Sequence, residues 1–253
     1  MSKQGWRIHA REFVLPKEGA GAEECEDAVG VSAERRRYAV ADGATEAFDS
    51  KSWAKLLAEG WVGAERAAVT VESFGAWVAE RGRALHESWD GRTLPWYAEE
   101  KRRAGSFAAF VGLSFREDGR QLRAEVIALG DACMIHLRGG AVHCAMPLTD
   151  AREFTSTPPL VPSQEALQES ALAKAVTDAG PVEHGDIFLL LSDAAAAWFL
   201  SLGEEDAPLR ARFDSLLKSP ATEPLAELFR AERRAGRIKD DDVAVVRVAV
   251  ERA

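Results

Sequence analysis

The chain is poor in cysteine: its 253 residues include only Cys25, Cys133 and Cys144, with no C-x-x-C spacing among them. So sparse and odd a set excludes a disulfide framework and a structural zinc site, and reduced thiols are expected. Basic charge is also in deficit, with 32 Lys and Arg against 41 Asp and Glu and a net charge of −9. Without a long basic run there is no footprint for nucleic-acid backbones or anionic membrane, and neither partner is expected. Apolar runs such as Ile187–Leu191 stop after a few residues, far short of the roughly 20 that cross a bilayer. Met1–Trp6 holds no apolar stretch followed by a small-residue cleavage site, so no secretory signal is read there and a cytoplasmic location is expected. No repeat, low-complexity tract or charge boundary divides the chain, and residues 1–253 read as one domain.

What is present is a succession of short apolar runs and amphipathic segments. Tyr38–Ala41 reads as a strand ending at Asp42-Gly43, and a helical pattern begins at Ser50 with Trp53, Leu56, Leu57 and Trp61 on one face. Phe74, Trp77, Val78 and Leu85 mark a second helix. Ser106–Phe115, Gln121–Leu129, Cys133–Leu137 and Ala141–Met146 are separated by Asp118-Gly119, Gly130-Asp131 and Gly139-Gly140, which is hairpin chemistry and predicts a four-strand antiparallel meander. Thr155–Ser163, with three prolines, reads as a loop, and Gln164–Ala179 as a helix closed by Gly180. Asp186–Leu191 reads as a buried strand, Ala194–Leu200, Ala207–Leu217 and Glu223–Ala235 as helices, and Asp241–Val250 as a terminal strand. The sum predicts an α+β layered domain.

The acids fall where the apolar runs begin or end. Glu26-Asp27 precede Ala28–Val31, Asp42 follows Tyr38–Ala41, Asp131 lies between two strands, Asp193 follows Phe188–Leu191, and Asp240–Asp242 precede Val243–Val250. Carboxylates gathered at strand ends need cations, and an all-oxygen donor set suits Mg²⁺ or Mn²⁺. Taken singly, each acid is better explained by turn or capping chemistry, though less well for Asp42 and Asp193, which directly follow runs apolar enough to lie in the core.

The order Cys25-Glu26-Asp27-Ala28, Ala39-Val40-Ala41-Asp42-Gly43, Gly105-Ser106-Phe107-Ala108-Ala109, Gly130-Asp131, Gly185-Asp186, Leu190-Leu191-Ser192-Asp193 and Asp241-Asp242-Val243-Ala244-Val245-Val246 resembles the metal-dependent protein phosphatases of type 2C, in a divergent bacterial branch. The resemblance implies a four-layer α-β-β-α sandwich of two antiparallel sheets flanked by helices. It implies that Asp42 bridges two Mn²⁺ or Mg²⁺ ions, that the Gly43 carbonyl, Asp193 and Asp241 are further ligands, and that Glu26 holds metal-bound water. Asp131 would take a third, weaker ion with Asp193, while Asp27 and Asp242 would support the ligands from behind. Water activated by the dinuclear centre would attack a phosphoserine or phosphothreonine monoester in line. The implied partner is a phosphorylated protein that a serine/threonine kinase supplies.

The chain departs from the family pattern in several places, including Ala244 where Ser or Thr is usual and a loop after Gly43 without the histidine of animal members. Ala194 follows Asp193 where Gly is usual, Asp242 stands where Asn is usual, and the phosphate-binding arginine expected four residues before Glu26 is replaced by Ala22. Lys17, Arg11 or Arg7 are the candidates to supply that cation, and a lysine would give a point charge where arginine gives a bidentate clamp. The missing arginine also supports a rival reading, an inactive relative that binds phosphoproteins as a regulatory module.

Overall fold

The computed structural model describes residues 5–67, 69–91 and 94–253. Two antiparallel sheets lie face to face. The first has the strand order β1 (Trp6–Leu15), β11 (Val243–Arg252), β10 (Ile187–Leu191), β6 (Cys133–Arg138) and β7 (Ala141–Met146). The second runs β2 (Asp27–Ser32), β3 (Arg37–Gly43), β4 (Phe107–Asp118), β5 (Gln121–Leu129) and β9 (Val176–Val182), with the short β8 (Val161–Pro162) paired to β4. Helices α1 (Ser50–Gly63) and α2 (Val71–Ser88) cover the second sheet, while α5 (Asp193–Ser201), α6 (Ala207–Lys218) and α7 (Glu223–Arg234) cover the first. Helices α3 (Trp96–Ala104) and α4 (Glu165–Leu172) are the others among the described residues. The expected α-β-β-α sandwich is the observed architecture.

Each layer boundary has its own apolar core, because alternate residues of a strand face opposite ways. In β11, Ala244, Val246, Val248 and Val250 face the opposite sheet, whereas Val243 and Val245 face the helices. Trp61 from α1 and Phe74 and Trp77 from α2 pack on Phe110 of β4, with Trp53 buried in the same core, and Trp198 of α5 packs between Phe213 and Phe229. These tryptophans are core residues, as their helical spacing predicts.

Three expectations are corrected. The four central strands are not one meander: β4–β5 and β6–β7 are hairpins, but Gly130-Asp131 carries the chain from the second sheet to the first. Gly130 has φ 107°, and a Cβ there would lie 2.5 Å from that of Ala109, so this crossover requires glycine. The predicted helix Gln164–Ala179 ends at Leu172. Beyond it, Val176–Val182 pairs with β5 as an edge strand, where β-branched Val176 and Thr177 favour extended backbone. The loop Thr155–Ser163 contains β8, whose register sets Pro162 opposite Phe107. Two regular elements, β1 and α3, lie where no element is read from sequence.

Candidate active site

The crossover and the strand ends meet at one edge of the sandwich. The register of β2 against β3 sets Asp27 directly opposite Asp42. Gly43 ends β3, and its N–H donates to the Glu26 carbonyl at 3.2 Å. A Cβ on Gly43 would lie 2.9 Å from the Ser50 carbonyl group and 3.0 Å from the Glu26 carbonyl oxygen, so only glycine lets the first turn of α1 approach so closely. The Ser50 hydroxyl donates to Glu26 Oε1 at 2.5 Å.

The other sheet contributes through the β10–α5 junction. Asp193 is the first residue of α5, and its N–H donates to Asp42 Oδ2 at 3.4 Å, so the positive end of the helix faces the Asp42 carboxylate. The buried Ser192 hydroxyl accepts from Ala244 N–H at 2.8 Å and bonds the Asp27 carboxylate, tying β11 to β2. Asp131, 7% exposed, enters from the crossover, and Asp241 from the loop before β11. Asp27, Asp42, Asp131, Asp193, Asp241 and Glu26 are thus brought to one place from five chain segments.

Their electrostatics are those of a cluster short of positive charge. Burial pushes the Asp42 carboxyl well above the usual carboxylate range, and the charges of Asp27, Asp193 and Asp131 push it further. Asp27 is raised in the same way, by burial and then by Asp242, Asp193 and Asp241, against a lowering hydrogen bond from Ser192. Asp131 is raised to about 6, chiefly by burial and by Asp193. Asp27 Oδ2 is buried with no hydrogen-bond partner.

Two of the other acids have different duties. Asp242, 4% exposed, accepts from Lys17 N–H at 2.9 Å through one oxygen and from Glu26 N–H at 2.7 Å through the other. Both of its oxygens are acceptors, which an asparagine cannot reproduce, and this accounts for aspartate at that position. Asp186 of the Gly185-Asp186 motif lies at the far end of β10, bonded to both Arg138 Nε at 2.9 Å and its Nη2 at 2.7 Å.

Of the candidate cations, Lys17 sits beside the cluster through its backbone bond to Asp242. Arg11 lies elsewhere: it is exposed, four residues before the end of β1, roughly 13 Å along the strand. It is opposite Arg247, whose guanidinium turns to Asp214 of α6, so Arg11 is on the helix side of its sheet. Arg7 is further along the same face.

The donor set fits a hard divalent cation. All the donors are oxygens, Asp27 Oδ2 behind them is buried without a partner, and Asp27, Asp42 and Asp131 are pushed up by burial and by the neighbouring carboxylates. Among the described residues no three such groups already converge as a cage. The Lys239 ammonium holds two of them instead, at 2.5 Å from Asp241 Oδ2 and 3.5 Å from Asp193 Oδ2.

No family model and no curated protein matches the chain. Solved structures match over nearly its whole length. The catalytic domain of the serine/threonine phosphatase PstP with two manganese ions has a TM-score of 0.60 at 17% identity, covering 96% of this chain and 99% of that one. The Mycobacterium tuberculosis phosphatase PstP/Ppp has a TM-score of 0.64 at 16% identity, with coverage of 96% and 99%. PppA, a key regulatory component of T6SS in Pseudomonas aeruginosa, has a TM-score of 0.58 at 19% identity, with coverage of 97% and 100%. This is the type 2C phosphatase fold.

Within the type 2C fold, two features of the site have no counterpart in the sequence reading. Lys239 is one; its charge was visible two residues before Asp241, but its reach to Asp193 depends on the loop's path. The other is a cleft of 490 Å³ that opens beside Asp131 and Asp193, with Trp198 and Phe154 in its walls and Thr155, Ser156 and Lys239 along it. A second cavity of 280 Å³, largely apolar, lies between the first sheet and α6, with Leu189, Ile187 and Phe213 in its lining and none of the clustered acids.

Proposed function

We propose that the chain is a metal-dependent phosphoserine/phosphothreonine protein phosphatase. The observation that carries this reading is the convergence of Asp27, Asp42, Asp131 and Asp193 at one edge of a type 2C fold, with Asp27 Oδ2 buried and unpartnered. Asp42, Asp193, Asp241 and the Gly43 carbonyl would hold two Mn²⁺ or Mg²⁺ ions, Glu26 a water beside them, and Asp131 with Asp193 a third. When bound, such ions supply Lewis acidity and lower the pKa of water enough for it to attack at neutral pH.

The protein's own groups favour water as the nucleophile. Two thiols adjoin the cluster, Cys25 with Sγ 3.9 Å from the Asp27 carbonyl oxygen and Cys133 with Sγ 3.4 Å from that of Asp131; burial followed by the charges of Asp27 and Asp242 pushes Cys25 up to about 12. Cys133 is likewise pushed up to about 12, chiefly by burial. A thiol so placed stays protonated at neutral pH and does not attack phosphorus. Asp242 holds the Lys17 and Glu26 segments in position, while the N-terminus of α5 orients Asp42. The substrate on this reading is a phosphorylated protein, supplied by a serine/threonine kinase.

The contact of Lys239 with Asp193 and Asp241 favours the second reading, a phosphoprotein-binding module without turnover. Phosphate release from phosphothreonine and phosphotyrosine peptides, with Mn²⁺ and with EDTA, separates them. Metal-dependent release from the phosphothreonine peptide is expected. Binding of that peptide by folded protein, with no release under any metal, would establish the module instead.

A further inference from the structure

Lys239 belongs both to the acid cluster and to the cleft beside it. The loop that carries it is pinned on either side. Before it, Arg237 bonds the buried Glu232 through Nε at 2.7 Å and through Nη2, and the Ile238 side chain is buried. After it, Asp240 accepts from Glu18 N–H at 2.9 Å, and Asp242 accepts from Lys17 and Glu26. The Lys239 side chain itself is 66% exposed, on a flexible four-carbon stem. Among the described residues it is the one cation in contact with the side chains of Asp193 and Asp241.

Resting on the phosphatase reading, we infer that Lys239 exchanges partners: its ammonium neutralises Asp193 and Asp241 in the metal-free protein, and swings to the substrate phosphoryl group once divalent cations take those carboxylates. Two ammonium contacts in a largely exposed setting are weak, and a doubly charged ion in direct contact with the same oxygens outcompetes them. Released from the carboxylates, the ammonium lies at the mouth of the cleft, where a phosphate dianion is the strongest available partner. Lys239 is thereby both a competitor of metal and a ligand of phosphate. Metal loading and phosphate binding are coupled through one side chain.

The test compares wild type with Lys239→Gln and Lys239→Arg by calorimetry, first titrating Mn²⁺ into metal-free protein and then orthophosphate into Mn²⁺-loaded protein. Lys239→Gln is expected to bind Mn²⁺ about three- to tenfold more tightly, since one competing charge is gone. It is expected to bind orthophosphate about tenfold more weakly and to show a raised KM with kcat changed far less, while Lys239→Arg stays close to wild type. Unchanged or weaker Mn²⁺ binding in Lys239→Gln would overturn the inference, as would unchanged phosphate binding. The calorimetric results need no turnover. Their failure in a wild type that hydrolyses phosphopeptides refutes the exchange alone, whereas their success in a wild type without hydrolysis refutes the phosphatase reading and leaves the exchange standing.

Discussion

Replacing Asp42 with Asn removes one charge from the cluster without changing the volume of the side chain. The amide oxygen can still accept the Asp193 N–H that reaches Asp42 Oδ2 at 3.4 Å, so the junction between the sheets is kept. What is lost is repulsion from Asp27, which faces Asp42 across the β2–β3 pair, and from Asp193 and Asp131. Facing residues of an antiparallel pair lie about 5 Å apart, and at an effective dielectric of about 20 two unit charges at that distance repel by about 3 kcal/mol. Relaxation and shared protons reduce this to about 1–3 kcal/mol, which for a chain of this size raises the melting temperature by about 3–10 °C in EDTA at pH 8. Excess Mn²⁺ at about 1,000 times its Kd should stabilise wild type by about 4.1 kcal/mol and the variant hardly at all. The two proteins therefore change rank: the variant is the more stable in EDTA and the less stable in Mn²⁺. Thermal denaturation in the two buffers reads this directly. A variant that melts below wild type in EDTA and keeps the full Mn²⁺ response would refute the reasoning, because Asp42 would then be an ordinary structural acid.

Asp242→Asn leaves one of two part-buried N–H groups, those of Lys17 and Glu26, without its acceptor, and urea denaturation should show a loss of about 1–3 kcal/mol; an unchanged midpoint would contradict the tethering role. The raised Asp131 carboxyl gives a pH dependence whose sign can be worked out. With a folded value of about 6 against 3.8 unfolded, the folded state keeps its proton longer, so stability is lost as pH rises from about 4 to about 6 and the loss is then constant. Because His86 and His136 are held below their ordinary range and act in the opposite sense, the readout is the difference from Asp131→Asn in EDTA. The variant's advantage should grow across that window to at most about 3 kcal/mol, and a difference independent of pH would contradict it.

The parts of the fold that were legible in the sequence are those set by local pattern. Tyr38–Ala41 is apolar enough to be a core strand, so the acid that follows it had to lie at the strand's end, and there Asp42 stands. The helical tryptophans could be placed for the same reason. What was not legible depends on distant partners. Gly130-Asp131 has the composition of a hairpin turn, and nothing local distinguishes a turn within one sheet from a step between two. Val176–Val182 is an exposed edge strand whose regularity comes from β5, and β1 is an edge strand whose charged residues blur its alternation. Helix α3 did carry a local signal, Pro95 before it and Gly105 after it. At the site, motif order located the carboxylates, but the reach of Lys239 and the double acceptor role of Asp242 exist only after the loops have closed over them.

The central claim, that these carboxylates serve metal-dependent hydrolysis of a phosphomonoester, is tested most directly by p-nitrophenyl phosphate turnover of wild type and Asp193→Asn in Mn²⁺, in Mg²⁺ and in EDTA. The account predicts turnover with metal, none with EDTA, and a loss of about 100-fold or more in the variant with its fold intact. Turnover that survives EDTA, or an Asp193→Asn variant as active as wild type, would contradict it.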